Sequence, residues 1–74
     1  DIYPNPSLGF VNVFSSDFND FDINIINCLG QIVFSKKNVI NSNIELDLNS
    51  LKSGVYTLSI FDQNNMISRK IIIE

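Results

Sequence analysis

The sequence has no histidine and no tryptophan, and it has a single cysteine, Cys28. Without histidine, Ser-His and Cys-His nucleophilic arrangements cannot be assembled from this chain. Without a second cysteine, neither an internal disulfide nor a thiolate metal cluster can form. Cys28 has no cation beside it in the sequence to stabilise a thiolate and is read as a small packing residue. Basic residues are also scarce: five Lys and Arg stand against eight Asp and Glu, for a net charge of −3. The adjacent ones occur only as the pairs Lys36-Lys37 and Arg69-Lys70. Such a surface has no footprint for a phosphate backbone, so nucleic acid is not expected as a partner. No apolar run approaches the roughly 20 residues of a spanning helix, so membrane insertion is not expected. The chain opens on Asp1 with no charged-then-apolar leader, and it is read as a piece of something longer.

What is present is a composition that folds. The chain has 74 residues, 45% of them hydrophobic and 18% charged, which describes one small globular domain with a thin margin of stability. Its apolar residues recur at every second position. Ile44-Glu45-Leu46-Asp47-Leu48 alternates throughout, Tyr56, Leu58 and Ile60 alternate against Thr57 and Ser59, and Phe21, Ile23 and Ile25 against Asp22 and Asn24. Val11 and Val13 flank Asn12 in the same way. Period two is the spacing of half-buried strands. Gln31 to Ser35 and Ile67 to Ile73 are rich enough in Ile, Val and Phe to be strands, with no indication of which face lies inside. Between them lie Asn-, Asp-, Ser- and Gly-rich turns at Asp17 to Asp20, Cys28 to Gly30, Asn38 to Asn43, Asn49 to Gly54 and Asp62 to Asn65. No window carries a helical stripe, and Asn49 to Ser53 could make one turn at most.

Short strands at intervals of roughly 8–12 residues predict an all-β fold, an immunoglobulin-like antiparallel β-sandwich of about seven strands. Leu51-Lys52-Ser53-Gly54-Val55-Tyr56 places a glycine turn and then a tyrosine at the start of a strand, the pattern of a tyrosine corner. Gly30 and Gly54 are expected at positive φ, where alanine would cost roughly 1 kcal/mol or more. At the other end, Tyr3-Pro4-Asn5-Pro6 should be a stiff, extended lead-in, because each proline fixes its own φ and pushes the preceding residue out of the helical region. Neither proline can donate to a ladder, which suits an edge and marks a domain start. Gly9 then lets the chain bend into a strand from Phe10 to Phe14.

In order and spacing, Tyr3-Pro4-Asn5-Pro6, Gly9 before Val11 and Val13, Leu29-Gly30-Gln31-Ile32-Val33, the stretch from Leu46 through Leu51 and Gly54-Val55-Tyr56 to Ile60, and the closing Lys70-Ile71-Ile72-Ile73 carry a resemblance over the whole chain. They resemble the type A C-terminal sorting domain of the type IX (Por) secretion system of Bacteroidetes-type bacteria. The resemblance implies a non-enzymatic domain, without cofactor or metal, at the end of a larger secreted protein whose N-terminal part is the cargo. It implies partners in the outer-membrane translocon, a shuttle protein and a surface sortase. It implies transit through the periplasm to the cell surface or the medium, with removal of the domain by a cut in the upstream linker. Lys70, Ile71, Ile72 and Ile73 match the family's terminal signal segment; Tyr3 to Pro6, Gly9, Gly30, Leu51, Gly54 and Tyr56 match its structural landmarks. The chain departs from the family in ending on Glu74, where a basic residue is common. A hydrophobic strand ending in a carboxylate could be captured by strand addition or by a backbone nest.

Three other groupings of residues suggest sites. Asp17 to Asp22 offers several oxygen donors, but Asp22 stands where an EF-hand loop needs glycine, so a solvated turn is the reading adopted. Asp20 with Asp22, and Glu45 with Asp47, are same-face carboxylates of the kind that form the wet side of a sheet. The aromatics, 11% of the chain, are no more than a small β core needs, which leaves a carbohydrate-binding module or an immunoglobulin-like spacer as the alternative role.

Overall fold

Alternation along the sequence becomes alternation of faces in the computed structural model, which describes residues 2–3, 9–14, 20–40 and 43–74. The strands are β1 (Ile2–Tyr3), β2 (Phe10–Phe14), β3 (Phe21–Ile26), β4 (Ile32–Val39), β5 (Asn43–Asp47), β6 (Gly54–Phe61) and β7 (Met66–Ile73). Six of them run five to eight residues, and β1 is a two-residue piece. They form a three-stranded sheet in the order β1-β2-β5 and a four-stranded sheet in the order β4-β3-β6-β7. Every pairing is antiparallel. The chain is therefore all-β among the described residues. Pro4, Asn5, Pro6 and most of the Asp17 to Asp20 turn lie outside the described residues.

The two sheets share one core. Val11, Val13 and Leu46 reach into it from the three-stranded sheet, and Ile23, Leu58 and Ile71 from the four-stranded one. Each such side chain contributes about 1.5–3 kcal/mol by leaving water. Among the described residues no buried side-chain nitrogen or oxygen lacks a hydrogen-bond partner. The strong alternation of β3 and β6 follows from their central positions, each with a hydrogen-bonded neighbour on both sides.

β4 departs from expectation. It runs on through Lys36, Lys37 and Asn38 to Val39, where a turn was expected from Asn38 onward. The extension is held by the Asp22 carboxylate, which accepts the Asn38 backbone N–H at 3.0 Å, and by register shifts that take up the irregularity. Asn38 sits at φ +59, a conformation asparagine tolerates better than most residues. Cys28 is the second correction: it is exposed, not packed. Its turn is built by its neighbour, since the Asn27 side-chain oxygen accepts the backbone N–H groups of Leu29 and Gln31 at 2.9 and 3.0 Å. That geometry turns residues 28–30 toward water.

Gly30 in this turn has φ +82, and Gly54 at the head of β6 has φ +157, both positive as expected. They differ in consequence, because +157 is nearly extended and only Gly30 lies well inside the left-handed region. Tyr56 is buried on β6, and its hydroxyl donates to the Lys52 carbonyl at 2.6 Å, across the 48–53 loop. Replacing Tyr56 by phenylalanine is expected to cost about 1 kcal/mol, the net worth of one such bond. A urea midpoint equal to that of the parent domain would show that the bond contributes nothing.

Both edge strands of the four-stranded sheet carry a cation at a register position that faces the core. Lys36 on β4 lies opposite Ile23, and Arg69 on β7 lies opposite Leu58. Both cations are exposed, so they lean out of the sheet margin, and a charge in that place discourages a second sheet from adding edge to edge. β4 is further protected by its bulges, whereas β7 pairs with β6 in unbroken register along its length.

Candidate functional site

The closing segment, Lys70 to Ile73, lies wholly within β7, and pleating divides it. Ile71 and Ile73 point into the core at 0% and 4% exposure, opposite Tyr56 and Gly54. Only Lys70 and Ile72 belong to the outer face, opposite Thr57 and Val55. On the folded domain the side chains of the four residues therefore do not form one continuous surface. The outward pair lies on a face assembled from strands far apart in sequence.

Two cross-strand rows make up that part of the face. One runs Ile32, Ile26, Thr57, Lys70 from β4 to β7, and the next pairs Val55 with Ile72. Ile32 and Val55 are 62% and 49% exposed, large values for aliphatic side chains, and Leu29 stands out from the adjoining 27–31 turn. The row beyond them is polar. Ser35 donates to the Asn24 side-chain oxygen at 3.1 Å, and Ser59 and Ser68 share a hydrogen bond of 2.9 Å.

Of the structural landmarks, Gly54 and Tyr56 are brought directly beside the terminal residues, and Leu51 is partly buried against the core under the same loop. Gly30 lies in the turn that follows Ile26 at this end of the sheet. Tyr3 and Gly9 belong elsewhere: Tyr3 pairs with Asn12 in the three-stranded sheet, and the Gly9 carbonyl accepts the Leu48 N–H at 2.7 Å. Gly9 is at φ +124, and a Cβ there would collide with the Asn49 carboxamide, whose Cγ would be 2.9 Å away. Ile26 was not singled out from the sequence, and Ile32 and Val55 were named only within the stretches that carry the resemblance, not as outward-facing site residues. A signal existed, since Ile25-Ile26 and Ile71-Ile72-Ile73 are adjacent isoleucines in strands, and pleating sends neighbours to opposite faces.

The alternative groupings resolve differently. Asp20, Asp22 and Asp62 line one open depression, but Asp22 is engaged with Asn38, and Asp62 accepts the N–H groups of Asn64 and Asn65 at 2.8 and 2.7 Å. No group of three potential metal ligands is found among the described residues. Glu45 and Asp47 flank Leu46 on the solvent side of β5, where one Asp47 oxygen caps the turn through the Asn49 N–H and side-chain amide. The aromatics are less internal than their number suggests. Phe10 and Phe14 are 47% and 43% exposed on the outer face of the three-stranded sheet, with Asn12 between them.

Among the described residues no helix is long and apolar enough to cross a membrane. No curated protein matches the chain. A family of known domains does, over residues 1–74, and it is described as the secretion system C-terminal sorting domain.

Proposed function

The chain belongs to the secretion system C-terminal sorting domains, and from that membership we propose that it is a type A domain that directs a fused N-terminal cargo through the type IX translocon. Membership by itself implies a secretion-signal role, contact with the Por secretion machinery, and export across the outer membrane to the surface or the medium. The family is generally non-catalytic, and no catalytic role is assigned to this chain. The observation that carries the reading is the family match over all 74 residues.

In its finer form, residues 1–74 are one domain at the end of a larger secreted protein, recognised in the periplasm by a shuttle protein and removed by a surface sortase. The cut falls in the upstream linker, and the cargo is anchored or released. An immunoglobulin-like sandwich is the architecture we assign. The three-plus-four strand order and the Tyr56 hydroxyl bond at the turn into β6 support it. Lys70 to Ile73 remain the proposed signal segment, with Lys70 and Ile72 as its outward-facing part.

The test is export of a periplasmic reporter carrying residues 1–74 at its C-terminus, compared between a type IX-competent strain and one lacking the translocon. Reporter outside the cell only where the translocon is present is the expected outcome. Retention in the periplasm of both strains, with the domain folded, would redirect attention to the half-exposed Phe10 and Phe14. Those rings favour a sugar-stacking role as the second reading.

A further inference from the structure

We propose that the open edge of β5, Asn43–Asp47, is a binding site for an extended segment of a partner protein in which Lys or Arg alternates with aliphatic residues. The segment adds to the three-stranded sheet as a further strand beside β5. This site goes beyond the sorting role and does not depend on it.

The backbone sets the kind of occupant. β5 pairs with β2 alone, in unbroken register from Phe10 opposite Asp47 to Phe14 opposite Asn43. One residue further along, the Leu48 N–H donates to the Gly9 carbonyl at 2.7 Å, so Leu48 turns its backbone groups toward β2. In an antiparallel ladder that direction alternates from residue to residue. Leu46 and Ile44 therefore also bond toward β2, while Asn43, Glu45 and Asp47 direct their N–H and C=O groups to the open side. Among the described residues nothing pairs with them there. Apart from water, the ligand that matches such a row is another extended chain. The other edges carry obstacles to one: β1 is two residues long, β4 is bulged with Lys36 at a core-facing position, and β7 has Arg69 at another. β5 has none of these, since Ile44 and Leu46 are its core-facing residues and no bulge or proline interrupts it.

Side chains set the occupant's sequence. Glu45 and Asp47 are exposed on the outer face of β5, and strands β1, β2 and β5 hold no Lys or Arg. One Asp47 oxygen holds the Asn49 turn, whereas Glu45 has no ion pair or side-chain hydrogen bond among the described residues. A strand beside β5 sets alternate side chains next to these carboxylates, where Lys or Arg is favoured. The intervening ones meet half-buried Ile44 at the margin of the core, where an aliphatic is favoured. The same acids disfavour a second copy of this chain. An antiparallel contact between two β5 strands centred on Glu45 opposes that residue to itself, and centring on Leu46 sets Glu45 against Asp47. Centring on Ile44 avoids the clash only by taking Leu46 and Asp47 beyond the end of the other copy's β5.

The probes are two short peptides, one alternating lysine with valine and one alternating glutamate with valine, titrated into the 74-residue chain. The lysine peptide is expected to bind at least about tenfold more tightly than the glutamate peptide, and Glu45→Lys should remove that difference. Amide hydrogen exchange gives the location. In the unliganded chain the Glu45 and Asp47 amides should exchange fast beside protected Ile44 and Leu46, and the lysine peptide should slow the first two by about tenfold or more. Glu45→Pro deletes one outward donor and leaves the bonds to β2 in place, so it should weaken the peptide about tenfold with the melting temperature nearly retained.

Equal protection of Glu45 and Leu46 in the unliganded chain would overturn the outward assignment. Absence of binding, equal affinity for the two peptides, or binding that leaves the Glu45 and Asp47 amides unchanged would overturn the site. A dimer in sedimentation that Glu45→Pro makes monomeric would give the edge to a second copy and overturn the proposal as well. Should Glu45→Pro fail to fold, the exchange pattern of the parent chain decides alone. None of these outcomes bears on reporter export, so the site and the sorting role stand or fall separately.

Discussion

Replacement of Ile71 by alanine is expected to destabilise the domain by about 2–5 kcal/mol, the cost of truncating a buried isoleucine. Ile71 has 0% exposure and lies opposite Tyr56, on the core side of β7. Domains of this size have a total stability of only about 4–11 kcal/mol, so the substitution removes a large share of it. At roughly 4–8 °C per kcal/mol, the melting temperature should fall by about ten degrees or more. A substitution one residue along should behave differently. Ile72→Thr keeps a β-branched side chain on the outer face and should shift the melting temperature by only a few degrees at about 0.5 kcal/mol. Thermal melts of the two variants decide the matter. Equal destabilisation would mean that the pleat of β7 does not divide core from surface as described. The distinction matters for any export assay, because loss of export in Ile71→Ala reports a damaged fold, whereas loss in Ile72→Thr reports a damaged surface.

Phe21→Ala is expected to be more damaging still, at about 3–5 kcal/mol. Phe21 has the largest side chain among the fully buried residues, at 1% exposure. It pairs with Val39 at the irregular end of the β3–β4 ladder. A cavity left there is not readily refilled, because Val39 is held by the adjoining Asn38 contact to Asp22. Urea titration should give a lower midpoint with an unchanged slope. A loss below about 1 kcal/mol would mean that the strands close over the gap, so that the site is softer than its burial implies.

Both predictions depend on facing, and facing was unevenly legible in the sequence. In β3 and β6 it could be read directly, since Ile23, Ile25, Leu58 and Ile60 alternate with polar residues and all four are buried. Tyr56 could also be read, because the turn before it and its place at the head of a strand define a local motif. β4 could not be read to its end. At the margin of its sheet most of its residues meet water, and Lys36, Lys37 and Asn38 then look like a loop. Cys28 was misjudged for a related reason: small apolar residues favour interiors on average, but the Asn27 side chain builds a turn that carries this one outward.

The candidate site shows the same division. Lys70 to Ile73 were identifiable as a segment, but their separation into two buried and two outward residues depends on which face of β7 meets the core. Their neighbours Ile26, Ile32 and Val55 come from three other strands.

By itself, then, the sequence determined the all-β class and where most of the strands lie, and, with no histidine and one cysteine, that neither a histidine-assisted nucleophile nor an internal disulfide can be built from these 74 residues. Those properties are set by spacing and composition within a few residues of each position. Tertiary structure alone decided that the three-stranded and four-stranded sheets share a core, that cations stand guard on both edges of the larger sheet, and that an apolar corner surrounds the outward half of the terminal segment. Those features depend on register between strands distant in sequence, and register is fixed when two sheets bury their apolar faces against each other.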